Sequence, residues 1–265
     1  MYTKKLACYQ IDAFTDQLFG GNPACVVVLE EWLPDETLLK ITQENAVAET
    51  AFFIPEGDGF HLRWFTPEYE MDLCGHATLA TAHVLKTELG YAGDTIRFSS
   101  KSGILEVGIE NDRYTLNFPS RRPVAAELPD AIATALSKQP LEVLKSRDYF
   151  LVYENEQDIL ELAADREKLS TADIAPGGII VTAKGNKADF VSRFFVPGAS
   201  IFEDPVTGSA HCSLIPYWSG QLGKKELSAL QLSERVGKLD CTLLDDRVLI
   251  SGTAKTYSAG YIFIS

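Results

Sequence analysis

Residues 63–90 read RWFTPEYEMDLCGHATLATAHVLKTELG, and residues 193–223 read RFFVPGASIFEDPVTGSAHCSLIPYWSGQLG. Both stretches run Arg, aromatic, Phe, any residue, Pro, then reach Gly-[His/Ser]-Ala and close on Leu-Gly. The match continues downstream, where FSSKSGILEVGIENDR from Phe98 parallels LSERVGKLDCTLLDDR from Leu232. Gly75 falls on Gly208 and Gly90 on Gly223 at a separation of 133, while Ser99, Gly103 and Arg113 fall on Ser233, Gly237 and Arg247 at 134. A period of half the 265-residue chain is too long for a solenoid and predicts two similar domains. NFPSRRPVAAELP, with three prolines and two arginines, reads as the linker, which puts the boundary near 119–124 and the halves at 1–120 and 121–265.

Alternation and β-branched content predict strands at 6–14, 24–29, 51–54, 60–65, 94–99, 104–109 and 113–118 in the first half. Helices fit 35–46, started by Pro34-Asp35-Glu36, and 76–89, between Gly75 and Gly90. The second half repeats the plan, with helices at 128–137, 156–168 and 207–221 and strands at 148–153, 178–183, 188–196 and 226–232. RVLISGTAKTYSAGYIFIS, at the C-terminus, reads as further strand whose course back to the first half is left open. The fold class is mixed α/β (α+β).

Composition narrows the function. With 46% hydrophobic residues the chain can bury a sizeable core. No stretch approaches the roughly 18 apolar residues of a membrane span, and the first residues lack the apolar run of a signal peptide, so a cytoplasmic protein without a membrane partner is expected. Five scattered cysteines without CxxC spacing point to reduced thiols rather than disulfides or structural zinc. A net charge of −13, with no basic cluster beyond Arg121-Arg122, excludes nucleic acid as a partner.

The two glycine-led starts carry the chemistry. Bare N–H groups at a helix N-terminus bind anions, and small residues let a ligand approach closely. Gly75 and Ala77 in one copy, with Thr207 and Gly208 in the other, are therefore expected to form a floor for a carboxylate. By duplication the two starts are expected to face one cleft. On these residues alone, Asp204 or Thr207 is equally an N-cap, Gly208 a turn residue and His76 a core or capping histidine.

FGGNPACVVV (19–28), AETAFF (48–53), RWFTPEYEMDLCGHATLATAH (63–83) and RFFVPGASIFEDPVTGSAH (193–211) together resemble the phenazine-biosynthesis PhzF-like isomerase family. The resemblance spans both halves. It implies the diaminopimelate-epimerase-like fold, two pseudo-symmetric domains each with a sheet wrapped around a central helix, and a site between them. It further implies a glutamate acid/base at Glu49, with His76, Asp204 and Ser209 as the remaining catalytic residues, no cofactor or metal, and a homodimer. The expected ligand is a small carboxylated metabolite.

The residue types suit a proton shift. One carboxyl can both remove a proton from carbon and return it. Two other readings remain open. One is an amino-acid racemase or epimerase using Cys74, although its second half offers Thr207 where a partner thiol is needed. The other is a small-molecule-binding protein that has lost the reaction. TGSAH is not a nucleophile elbow, His76 and His83 alone do not make a metal site, and there is neither a GxGxxG after a strand nor a P-loop.

Overall fold

The computed structural model describes residues 4–174 and 177–265. The chain divides into two compact units, one running up to Asn117 and taking in Ser251–Ser265, the other Phe118–Ile250.

In the first unit, β1 (Lys4–Ala13) and β2 (Asn22–Val28) are antiparallel, and after α1 (Asp35–Asn45) β3 (Glu49–Glu56) lies parallel to β2. β3 forms a hairpin with β4 (Gly59–Phe65), which also pairs with the two-residue β5 (Glu70–Met71). Helix α2 (Gly75–Thr87) then carries the chain to β6 (Thr95–Ser100), parallel to β4, and β7 (Gly103–Glu110) and β8 (Arg113–Pro119) continue as a meander.

The second unit repeats these pairings. After β9 (Val124–Ala125) and α3 (Asp130–Ala135), β10 (Glu142–Lys145) is antiparallel to both β9 and β11 (Tyr149–Val152). Beyond α4 (Glu156–Glu161) and α5 (Arg166–Leu169), β12 (Ile179–Lys184) is parallel to β11 and antiparallel to β13 (Phe190–Phe195). Helix α6 (Gly208–Leu222) leads to β14 (Glu226–Gln231), parallel to β13, followed by β15 (Gly237–Leu243) and β16 (Arg247–Gly252). The last strand, β17 (Ala254–Ile264), runs antiparallel to β1, from Ala13↔Ala254 to Lys4↔Ile264.

Each unit has one helix buried on all sides. Every residue of α2 from Gly75 to Leu85 is buried, and in α6 only Ser209 and Tyr217 among the first twelve are not. A helix with apolar or small residues all round has no face for water, so the sheet must enclose it. The threonines of α2 return to their own helix: Thr78, Thr81 and Thr87 donate to the carbonyls of Cys74, Ala77 and His83. Pro216 inside α6 lacks the N–H that would bond the Cys212 carbonyl, and Arg121 N–H takes that place at 2.8 Å.

The stretch read as a linker is thus part of the second unit, through that bond and through β9, whose Val124 and Ala125 pair with Lys145 and Leu144. The helix expected at 156–168 is two short ones. Asp165 accepts from Lys168 N–H and so caps a new start, while Ala164 bridges to Leu136. The helix expected at 128–137 is confined to Asp130–Ala135, and the four-residue strand at 142–145 was not anticipated. Among the described residues, no helix is long and apolar enough to cross a membrane.

Candidate active site

The sequence-derived residues fall into two groups, one per unit. In the first, the turn before β2 sets the frame. Gly21 has φ +61°, and a Cβ there would stand 2.0 Å from the Ala13 carbonyl oxygen, so only glycine fits. Phe19 is also in left-handed backbone, at φ 68°, its N–H donating to the buried Asp12 carboxylate at 2.8 Å. This turn delivers Asn22 to the first position of β2, fully buried. Two residues on, Ala24 pairs with Glu49 at the first position of β3. Ala46, left-handed at φ 53°, ends α1 and allows the short return into β3.

His76 is the second residue of α2 and meets both strands. Its Nδ1 lies 3.2 Å from Asn22 Nδ2 and 3.6 Å from Cys74 Sγ. Its Nε2 lies 3.1 Å from Glu49 Oε2, with side-chain exposures of 4% for His76 and 15% for Glu49. The last contact is out of line for a hydrogen bond, and neither atom has another hydrogen-bond partner among the described residues. Glu49 therefore does not face open water, and His76 is not a capping residue.

Burial opposes a charge on His76, but the negative charges offered by Cys74 and Glu49, and contacts with both, outweigh it and raise its pKa well above the ordinary value. Burial pushes the Cys74 thiol up, reinforced by the Glu49 charge and only partly countered by His76. Burial thus favours the protonated form of the Cys74 thiol, while its contacts favour charge on the His76 ring. Asn22 can serve either form of the ring, since half a turn of its amide presents oxygen to an Nδ1–H instead of N–H to a bare Nδ1.

Glu49, Cys74 and His76 are also the one group among the described residues whose donor atoms have metal-ligand spacing, within 4.8 Å of one another. The set is poorly arranged for an ion, because His76 faces Cys74 with Nδ1 and Glu49 with Nε2, on opposite sides of the ring. It is well arranged for moving a proton.

In the second unit, Asp204 sits three residues ahead of Thr207, which donates its hydroxyl proton to Asp204 Oδ2 at 2.6 Å. Thr207, not Asp204, is the N-cap residue of α6, and its own side chain makes no cap bond; Cys74, before α2, is equally without one. Gly208 opens the helix and half-buried Ser209 takes the place that His76 has in α2. His211 is a core residue: Nδ1 donates to the Thr207 carbonyl at 2.8 Å, and burial lowers its pKa to about 4. His83 is another, between Tyr114 and Thr256.

Two arginines at the head of the duplicated motif hold the loops that lead to these starts. Arg63 grips Glu70 through Nε and Nη2 at 2.7 and 2.9 Å, and Arg193 grips Glu203 in the same way at 2.8 and 2.9 Å. Sequence reasoning missed Asn22 and Gln231. The signal for Asn22 was an amide set between Gly-Gly-turn geometry and a buried apolar strand, where burial demands a partner. For Gln231 it was the phase of β14, which puts it on the inward face with Leu227 and Ala229.

The phenazine biosynthesis-like protein family matches residues 11–260. An uncharacterized isomerase of Pseudomonas aeruginosa is 46% identical, the match covering 98% of this chain and 100% of that one. A crystal structure of a phenazine biosynthesis protein of the PhzF family from Enterococcus faecalis superposes with a TM-score of 0.95 at 44% identity, over 98% of this chain and 100% of the other. A hydroxyproline epimerase from Agrobacterium vitis, 10% identical, shares the fold with a TM-score of 0.57 over 99% and 94% of the two chains.

Proposed function

Because the chain belongs to the phenazine biosynthesis-like (PhzF) family, with the diaminopimelate-epimerase-like fold, and is an isomerase, we propose that it shifts a proton within a small unsaturated carboxylate, with Glu49 as the single acid/base. The observation that carries this reading is the buried contact of Glu49 Oε2 with His76 Nε2 at 3.1 Å, in which neither atom has another hydrogen-bond partner among the described residues. A carboxyl held in a buried contact with an imidazole is placed to exchange a proton with carbon while the ring answers the change in charge.

Glu49 takes a proton from the carbon next to the double bond, the bond electrons move along the allylic system, and the same carboxyl returns the proton at its far end. Atoms and charge balance within one molecule, so no oxidant, reductant or cofactor enters. His76 keeps its positive charge throughout and stabilises the negative charge that leaves Glu49 for the substrate. In the first unit the backbone N–H groups by Gly75 and Ala77, at the start of α2, are assigned to a carboxylate. In the second unit Thr207, Gly208, Asp204 and Ser209 are assigned as substrate-binding groups. In phenazine enzymes of the family resembled here the substrate is a dihydro-hydroxyanthranilate, which makes that compound the first of a test panel.

The test is incorporation of solvent deuterium, or appearance of isomer, when the purified protein meets a panel of unsaturated and dihydroaromatic carboxylates. Stereoinversion of a saturated amino acid, abolished by Cys74→Ala, would support the thiol-based alternative instead. The raised Cys74 pKa argues against it.

A further inference from the structure

Gln231 closes β14 with no exposed surface, and an amide so buried must bond at every position or destabilise the fold. Its Oε1 accepts from Thr207 N–H at 2.8 Å, and its Nε2 donates to the Asp204 carbonyl at 2.7 Å and to Thr207 Oγ1 at 3.1 Å. A threonine hydroxyl has one proton and two lone pairs. With a lone pair taken by Gln231, the proton is turned to Asp204 Oδ2, where it is found at 2.6 Å. The neighbouring turn is also tied down: Asp204 N–H donates to the Phe194 carbonyl at 3.0 Å and Ser233 Oγ to the Pro205 carbonyl at 2.9 Å.

The first unit ties its turn by a serine in the same way, Ser102 Oγ donating to the Asp72 carbonyl as Ser233 Oγ does to that of Pro205. By strand register Gln231, opposite Gly237, corresponds to Ser100, opposite Gly103, and the one hydroxyl proton of Ser100 goes to the Gly103 carbonyl. A fold requirement shared by the two copies would have left a similar residue in both. The difference coincides with Asp204, which the 133-residue offset sets against Met71 in the first copy.

We propose that Gln231 is the positioning residue for Asp204: its carboxamide fixes the 204–207 turn and directs the Thr207 hydroxyl onto the Asp204 carboxylate. The proposal rests on the reading of Asp204 as a substrate-binding group. Gln231→Glu keeps the size and the acceptor for Thr207 N–H, but replaces the donor facing the hydroxyl with an acceptor that draws its proton away.

Two measurements decide it. In a crystal structure of Gln231→Glu, α6 is expected in place while Thr207 Oγ1 and Asp204 Oδ2 separate beyond hydrogen-bond reach; persistence of that bond overturns the proposal. If Gln231→Glu does not fold, Gln231→Met, similar in length and without hydrogen-bonding groups, is read in the same way. The second is a double-mutant cycle on the panel carboxylate that the wild type turns over. Gln231→Glu is expected to lower kcat/KM about tenfold or more alone and to add nothing in an Asp204→Asn background. Losses that simply multiply would show a general structural role and overturn it. If no panel carboxylate is turned over, the acid/base reading fails on its own account and the crystal structure alone decides the positioning.

Discussion

On the proposed reading, Glu49, His76 and Asn22 divide the labour of a proton shift among three neighbouring side chains. Asn22→Leu removes the partner of Nδ1 and leaves the ring to rotate away from Glu49 Oε2. The expected result is a loss of activity of about ten- to a hundredfold, with about 1–3 kcal/mol of stability lost in urea denaturation. Cys74→Ala should keep activity within about tenfold of wild type, since the 3.6 Å contact of the thiol with Nδ1 is weak and no step of the proposed mechanism uses it. A thousandfold loss would return the thiol to the mechanism. Ring 15N shifts should show His76 as an imidazolium at pH 7 and His211 as neutral, because one has an anionic neighbour and the other only a backbone carbonyl.

At the scale of elements, the turn before β2 and the two helix starts decide where these side chains stand. Gly21→Ala meets both a left-handed backbone and the Ala13 carbonyl and should cost roughly 2–4 kcal/mol. Gly57→Ala, at φ +60° with open space around it, should cost only about 1 kcal/mol. Equal losses in urea melts would remove the close approach as the reason for this glycine. The helix starts were legible because the chain states them twice, and a duplicated Gly-x-Ala after Arg-x-Phe-x-Pro has few other readings. The 156–168 segment was not, because its apolar spacing continues through Ala163 and Ala164 while the cap at Asp165 acts locally. Gln231 was hidden for a different reason: its partners lie 24 and 27 positions away and only the packing of β14 brings them to it.

At the scale of the molecule, two core histidines make stability depend on pH. His83 and His211 are both lowered to about 4, so between pH 6.5 and 4 the unfolded chain binds protons that the folded chain refuses. Stability should fall over that window by up to about 3 kcal/mol for each, and His211→Asn should flatten the fall in denaturant titrations at several pH values. His76 acts in the opposite sense. Its raised pKa gives a contribution fully present below about pH 6.5 and lost as pH rises through the folded value. The duplication, the fold class and Glu49, His76, Asp204 and Ser209 as candidates were legible in the sequence, whereas the Asn22–His76–Glu49 contacts needed the turn geometry of the structure. The central claim, that one carboxyl carries the proton, is tested most directly by Glu49→Gln. The amide keeps the shape, so the variant should fold and still bind the carboxylate that the wild type isomerises, yet show neither isomer nor solvent deuterium, a loss of at least about a thousandfold. Asp204→Asn and Ser209→Ala, measured beside it, should retain turnover above that floor. Wild-type exchange by Glu49→Gln would contradict the account and pass the proton to another group.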